Sequence, residues 1–424
     1  MSRLRETAMA LFQAAIAAAD PHAAVKRQLD ARPLTALPTK GRQFVVAVGK
    51  AAVPMTRAAL EHLPKPAGAV VVTNPENLCD LPGAKVIAGA HPIPDESSAA
   101  AGHAVLEFLA QTKAEDQVLA LISGGGSALM VAPRAGLSLQ DKSAANALLL
   151  ASGLEIKEMN LVRQQLSALK GGGLLRAAAP APVHALLLSD VIGDDLRAIA
   201  SGPTVAPLGT ATDARNLLQD RNLFSHMPNA VQTCLKAAPS PDDVFPVAQN
   251  TLVGSNKQSL LAMQKSAEAA GWAGVIVDDA LIGDVENAAQ KIATSLKEAK
   301  VDRPTALLFG GETTVRLRGD GRGGRNQELA LHIARLCNGT SSDWVFLSGG
   351  TDGRDGPTDA AGAVVDAESW SRISQSGEDP EALLNNNDSH RALDAAGDLI
   401  RTGGTGTNVA DVQVLLVKPN MWKT

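Results

Sequence analysis

The sequence predicts an α/β protein of two domains, and three observations carry that expectation. Short apolar runs rich in β-branched residues and bounded by glycine alternate with helical stretches almost throughout: QFVVAV, GAVVVT, KVIAG, QVLALI and HALLLS, then GVIV, ALLF, WVFL and VQVLL. Runs of this kind are buried strands of parallel sheets, and the segments between them are crossover helices. The chain has 424 residues, 45% of them hydrophobic, which is more than one ordinary core holds. Proline and acidic residues break the alternation at KAAPSPDDVFP, residues 236–246, so the expected domains are 1–240 and 241–424, both Rossmann-like with largely parallel sheets.

The first elements are helical. Leu4, Ala8, Leu11, Phe12, Ala15 and Ile16 recur at helical spacing with Glu6 and Gln13 between them, so the N-terminus reads as an amphipathic helix and not as a signal peptide. Asp20-Pro21 then looks like the cap and first position of a second helix. No apolar run approaches the roughly 18 residues that span a bilayer, so no membrane partner is expected. A net charge of −5 and the lack of any Lys/Arg run argue against nucleic acid. Three cysteines, Cys79, Cys234 and Cys337, lie far apart without CxxC spacing, which fits a reducing cytoplasm and neither a disulfide framework nor a zinc ribbon. The remaining partner class is a small molecule.

Ligands of open α/β sheets bind where strands end, so strand ends are searched first. VAVGKAA puts Lys50 between a strand and a helix, where an ammonium can neutralise phosphate oxygens; the bland alternative is a solvated turn lysine. It is no Walker A lysine, since that pattern needs glycine at Phe44 and a hydroxyl at Ala51. QVLALI runs into Ser123, Gly124, Gly125, Gly126 and Ser127, a row of donors and two hydroxyls suited to an anion. A nucleophile elbow is excluded, because G-x-S-x-G needs glycine at Leu129. Lys170-Gly171-Gly172-Gly173, following a helix that holds Arg163 and Lys170, reads as a helix C-cap. HALLLSD ends in Asp190, a candidate magnesium ligand or proton acceptor, with Asp195 a second metal candidate; Asp194 or Asp195 could equally cap the next helix. His91 in GAHPIPDESS reads as structural or supporting.

In the second half a helix carries Leu260, Met263, Ala267 and Ala270 on one stripe after Ser255-Asn256. ALLFGGETTV presents Glu312, and LSGGTDGRDGPTDAAGA presents Asp352, Asp355 and Asp359. The latter is no EF-hand loop, since Arg354 sits at the third ligand position. The eight histidines form no zinc constellation. GDGRGG, Gly319 to Gly324, matches G-x-G-x-x-G, yet the preceding TTVRLR alternates apolar residues with arginine, which marks a half-exposed strand rather than the apolar strand of a dinucleotide fold. Arg325-Asn326 follows at a helix start, where the guanidinium can bridge oxygens bidentately.

Taken in order, VGKAA, HPIPDESS, LISGGGSAL, NLVRQQLSALKGGGL, LLSDVIGDD with SGPT, GGETTVRL, GRGGRNQELAL, GTDGRDGPTDAAGA and TGTNVAD resemble the type 2 glycerate kinases, whose C-terminal portion is the MOFRL domain. The resemblance implies two α/β domains facing an interdomain cleft, and phosphorylation of D-glycerate by ATP with Mg2+ or Mn2+ to give 2-phosphoglycerate. It places Lys50 and Arg325 in that cleft, and a homodimer is compatible with it. Gly404 and Ala410 depart from the family's usual proline and asparagine near TGTNVAD.

The expected chemistry is phosphoryl transfer, in which position and charge neutralisation outweigh covalent chemistry. Lys50, Asp190 and Arg325 are the expected catalytic set. Residues 123–127, Glu312, Asn326 and Asp352 are expected to contact substrate or nucleotide. Two rivals are a nicotinamide-dependent hydroxypyruvate reductase, which needs a dinucleotide fingerprint and a histidine acid that the sequence lacks, and a non-catalytic phosphometabolite-binding module, which leaves Lys50, Asp190 and Arg325 unexplained.

Overall fold

A computed structural model describes residues 3–63, 65–237, 245–298, 301–340 and 343–419. By packing, the chain forms two units, one of residues 21–253 and one of residues 1–20 with 254–424. The junction expected at 240/241 lies outside the described residues. The proline-rich stretch precedes the last strand of the first sheet, so the changeover between units comes after it, at Val253 and Gly254.

In the first unit, β1 (Gln43–Val48), β2 (Gly68–Thr73), β3 (Lys85–Ala88), β4 (Gln117–Ile122), β5 (Val183–Leu188) and β6 (Gln249–Gly254) form one sheet in the order β3-β2-β1-β4-β5-β6. β1 pairs in parallel with both β2 and β4, and both β1 and β4 are buried at every residue. The apolar runs therefore lie where runs with two buried faces must lie. Val46, Val48, Val72, Val105, Leu109 and Ile122 share one core. The strand order reverses between β1 and β4, the topological switch point at which open α/β sheets bind their ligands. Helices Leu139–Ala151, Ile156–Gln165, Ala211–Asp220 and Asn229–Lys236 pack through Leu149, Val162, Leu166, Leu218 and Val231 as a separate cluster.

In the second unit, β7 (Ala273–Asp284), β8 (Thr305–Thr314), β9 (Trp344–Gly350), β10 (Gly362–Asp366), β11 (Leu399–Ile400) and β12 (Asp411–Val417) lie in the order β11-β10-β9-β12-β8-β7. This sheet is mixed. β7 and β8 pair in parallel, whereas β12 runs antiparallel to both β8 and β9, and β10 antiparallel to β9 and β11. Directions nevertheless agree for β7, β8, β9 and β11, because β12 and β10 are the reversed strands between them. β10 reverses because residues 351–361 return the chain without a crossover helix. The alternating TTVRLR is not a strand throughout: β8 stops at Thr314, and residues 315–318 leave the sheet.

The N-terminal helix, Arg3–Ala18, belongs to this second unit and not to the first. Its apolar stripe of Leu4, Ala8, Leu11, Phe12 and Ala15 packs against Leu260 and Met263 of helix Asn256–Ala269 and against Val345, Leu347, Val412 and Val414 of the sheet. Arg5 adds ion pairs to Asp366 and to the buried Asp398, at 2.8 Å for the latter.

Candidate active site

The turn after β1 and the turn after β4 are tied together at the switch point. Gly49 adopts φ +124°, and a Cβ there would overlap the Ser123 side chain, so only glycine lets the two turns touch. The Ser123 N–H donates to Val48 O at 2.8 Å, the Ala51 N–H donates to Ser123 Oγ at 3.1 Å, and the Lys50 N–H donates to Gly124 O at 2.9 Å. Ser123 is buried with its hydroxyl committed to this brace. It positions Lys50, which corrects its expected place among ligand-contacting groups. Asn77 Nδ2 holds the Lys50 carbonyl at 2.8 Å from the other side, leaving the lysine side chain exposed.

Asp190 closes the same corner. A Cβ on Gly124 would overlap its carboxylate, so the absence of a side chain admits the acid against the loop. Burial pushes the Asp190 carboxyl above its ordinary range, with its own backbone and Lys50 pulling back. Among the described residues the N–H groups of Gly124, Gly125 and Gly126 meet no acceptor, while Gly125, at φ +82°, starts the short turn Gly126–Leu129. Unoccupied N–H groups beside an exposed ammonium are what an oxyanion needs.

Ser127 points toward a further group. Its Oγ lies 2.9 Å from Ser201 Oγ and accepts from the Lys170 ammonium at 2.8 Å. The helix expected to include Lys170 ends at Gln165, and Gly171 and Gly172 are not its cap: their N–H groups clamp Ser201 O and Gly202 O at 3.0 and 2.8 Å. Ala200, Ser201 and Gly202 all have positive φ, at 48°, 63° and 67°. Two L-residues there stand about 1–2 kcal/mol each uphill, and such strain is retained chiefly where structure around a site enforces it.

Asp195 does not join Asp190. Arg197 takes its carboxylate through Nε and Nη2, both at 2.9 Å, so the acid is already neutralised. Among the described residues no three acidic, histidine or cysteine side chains converge as a metal cage. A lone Asp190 beside an anion loop still fits magnesium, which is held mostly by substrate phosphates, water and one or two carboxylates.

In the second unit, GDGRGG is a packing strap. The Gly319 N–H donates to Asn387 Oδ1 at 3.2 Å, Gly321 to Asn386 O at 3.0 Å and Arg322 to Asp388 Oδ1 at 3.1 Å. Cβ atoms on Gly319, Gly321, Gly323 and Gly324 would overlap Asn386, Asp388, Ser389 and Asp355 respectively. The glycines allow close approach to residues 386–389 and 355, and the amides of Gly319 and Gly321 are already taken. The strap delivers Arg325 to the first position of helix Arg325–Leu336.

The Arg325 fork is occupied within the fold. Nε and Nη2 grip the buried Asp411 at 2.5 and 3.0 Å, and Nη1 meets Glu312 at 2.8 Å. The bidentate edge expected to bridge a ligand is thus taken by Asp411, and the Nη1 edge with Glu312 remains half-exposed. Asn326 is buried, receiving nothing from solvent: its N–H and side chain donate to Asp355 at 3.1 and 3.3 Å, and its Oδ1 accepts from Ser348 at 2.6 Å. It is a bracing residue and not a ligand contact. Asp355 caps the helix start, and Asp359 is an exposed partner of Arg401 and His390. Asp352 is half-buried, with Oδ1 accepting the Arg354 N–H at 3.0 Å. A cavity of about 720 Å³ is lined by Glu312, Arg325, Glu328 and Asp355. Glu328 escaped the sequence reading: burial lifts its carboxyl to about 7 despite hydrogen bonds from Asn387.

The chain matches the domain of unknown function DUF4147 over residues 7–236 and the MOFRL family over residues 305–411. It is 36% identical to a glycerate 2-kinase of Pyrococcus horikoshii over 99% of each chain. The crystal structure of a glycerate kinase from Thermotoga maritima superposes with a TM-score of 0.92 at 37% identity, covering 98% of this chain and 100% of that one. The chain belongs to the glycerate 2-kinase family. An Agrobacterium vitis relative, 39% identical over 97% of this chain and 94% of its own, bears the provisional name hydroxypyruvate reductase. Members of the glycerate 2-kinase family are phosphotransferases, and the braced Lys50 turn, the glycine loop and Asp190 all fall within the DUF4147 match, whereas Arg325 and Asp411 fall within MOFRL.

Proposed function

We propose that this chain transfers the γ-phosphoryl group of ATP to the 2-hydroxyl of D-glycerate. The observation that carries the proposal is the corner at the first sheet's switch point, where Lys50, unoccupied loop N–H groups and a proton-avid Asp190 meet. In the reaction the hydroxyl oxygen bonds to the γ-phosphorus, the bridging bond to the β-phosphate breaks and ADP leaves. The hydroxyl proton passes to Asp190 or, where Asp190 holds the metal, to water. Lys50 and the loop from Gly124 to Ser127 hold and neutralise oxygens during transfer. Arg325, the other expected catalytic residue, is held in the second unit by Asp411 and Glu312. Magnesium or manganese, held by the phosphates and the Asp190 carboxylate, would supply further charge neutralisation.

The test is purified protein with D-glycerate, ATP and magnesium, with product identification, beside hydroxypyruvate with NADH and NADPH. Formation of 2-phosphoglycerate, lost in excess EDTA, is the expected result; turnover of hydroxypyruvate alone would overturn it. Asp190→Asn separates the two roles of the acid, because added manganese should restore part of the rate only if the carboxylate is a metal partner.

A further inference from the structure

Behind Ser127 lies a cavity of about 470 Å³ in the first unit, lined on one side by Lys142, Arg163 and Lys170. Lys142 comes from helix Leu139–Ala151, Arg163 from helix Ile156–Gln165, and Lys170 from the segment that follows it. Lys170 is buried at 7% exposure, and among the described residues its ammonium hydrogen-bonds the Ser127 hydroxyl alone. Lys142 Nζ donates to Leu166 O at 3.2 Å, and Arg163 Nε to Asn146 Oδ1 at 2.8 Å. Among the described residues none of the three forms an ion pair. Three cations gathered on one wall without a carboxylate form an electrostatically incomplete site.

The rest of the lining is mainly apolar, with His91, Ser127, Ser143 and Asn146 as its polar members, and its Ile93 and Leu150 are 79% and 61% exposed. A three-carbon acid has one negative charge and no apolar body, so it satisfies neither wall. The volume falls in the range of pockets for drug-sized ligands, roughly 300–1,000 Å³. The 720 Å³ cavity of the second unit is a poor alternative for polyphosphate, since Glu312, Glu328 and Asp355 line it and its Arg325 is already paired.

We infer that the first unit's cavity is the nucleotide site, with phosphates against Lys142, Arg163 and Lys170 and the base against Ile93 and Leu150. The assignment rests on the kinase reading above and adds which ligand the first unit takes. Ser127 links the site to the glycine loop, so the terminal phosphate leads from the cationic wall toward Lys50 and Asp190. Desolvation and mutual repulsion hold the Lys170 ammonium well below the usual lysine range and Lys142 at about 8, and a bound polyanion relieves the repulsion.

The test is calorimetric titration of the full chain with ADP, adenosine, tripolyphosphate and D-glycerate, in the native protein and in Lys142→Gln, Arg163→Gln, Lys170→Met and Leu150→Ser, each checked by thermal melting. The three cation variants should weaken ADP and tripolyphosphate tenfold or more and change D-glycerate less than twofold, because charge-assisted hydrogen bonds to phosphate are lost. Leu150→Ser should weaken adenosine and ADP but not tripolyphosphate. If Lys170→Met does not fold, the half-buried Lys142 and Arg163 carry the test. Variants that lose D-glycerate and keep ADP, or that change neither, overturn the assignment. A native protein that binds ADP through these cations yet never phosphorylates glycerate would instead overturn the kinase reading and leave the nucleotide site standing.

Discussion

Phe12 offers a direct measurement of where the N-terminal helix belongs. Its ring is fully buried and lies against Gly349 of β9, where a Cβ would meet ring carbons at 2.8 and 2.9 Å. Phe12→Ala removes the ring from a core shared with Leu260, Met263, Val345 and Val412, and β9 cannot move in to fill the space while paired on both sides. Such truncations cost about 3–5 kcal/mol. The tryptophans among the described residues, Trp272, Trp344 and Trp370, lie in the second unit, so tryptophan fluorescence reports its unfolding. With a urea m-value of about 2 to 3 kcal/mol/M, the fluorescence midpoint should fall by roughly 1 to 2.5 M. An N-terminal helix packed with the first domain, as the sequence reading divides the chain, predicts an unchanged midpoint. A shift below about 0.3 M, equivalent to less than about 1 kcal/mol, would refute the packing argument.

Lys50→Ala should leave the melting temperature unchanged, because the side chain is exposed, and lower kcat by about 10²-fold or more, read by steady-state assay. Arg325→Lys breaks the bidentate grip on Asp411, a carboxylate only 1% exposed; losing one charge-assisted bond there costs about 1.5–3 kcal/mol, so both kcat and melting temperature should fall. An unchanged melting temperature would mean that the Asp411 pairing does not hold in solution. For Glu328 the folded carboxyl sits at about 7, above its unfolded value, so the folded state binds the extra proton between those two values. Stability should therefore decline as pH rises from about 4.5 through 7, and Glu328→Gln should flatten that part of the melting-temperature profile.

The apolar strands were legible because burial on two faces leaves a local mark: QFVVAV and QVLALI became β1 and β4 over the same residues. Strand direction left no such mark. Whether β12 returns parallel or antiparallel depends on where residues 401–410 lead the chain, and nothing in VQVLL itself differs between the two. β11 has two residues and β6 carries Gln249 and Asn250, so neither offers enough apolar run to register. Lys50 and Asp190 stood out as candidates because strand ends are a searchable place, and the structure places both at the corner beside Gly124. Lys142 could not, since its meaning depends on two other helices converging on it. A weaker signal was present: Lys142 and Asn146 stand four apart, on one face of a helix otherwise rich in leucine and alanine.

The two glycine-rich loops show why composition alone misjudges such sites. GDGRGG has the more familiar pattern, and SGGGS has only a row of glycines. The difference lies in the destination of their N–H groups. In GDGRGG the amides of Gly319, Gly321 and Arg322 already donate to residues 386–388, and the volumes where side chains would stand are filled by that segment. An anion arriving there would have to compete with hydrogen bonds that the fold itself needs. In SGGGS the amides of Gly124 to Gly126 lack such partners among the described residues, and the side-chain volume at Gly124 is occupied by the Asp190 carboxylate. A glycine motif therefore signals close approach of something to the backbone; a ligand is implied only where the donors are still open.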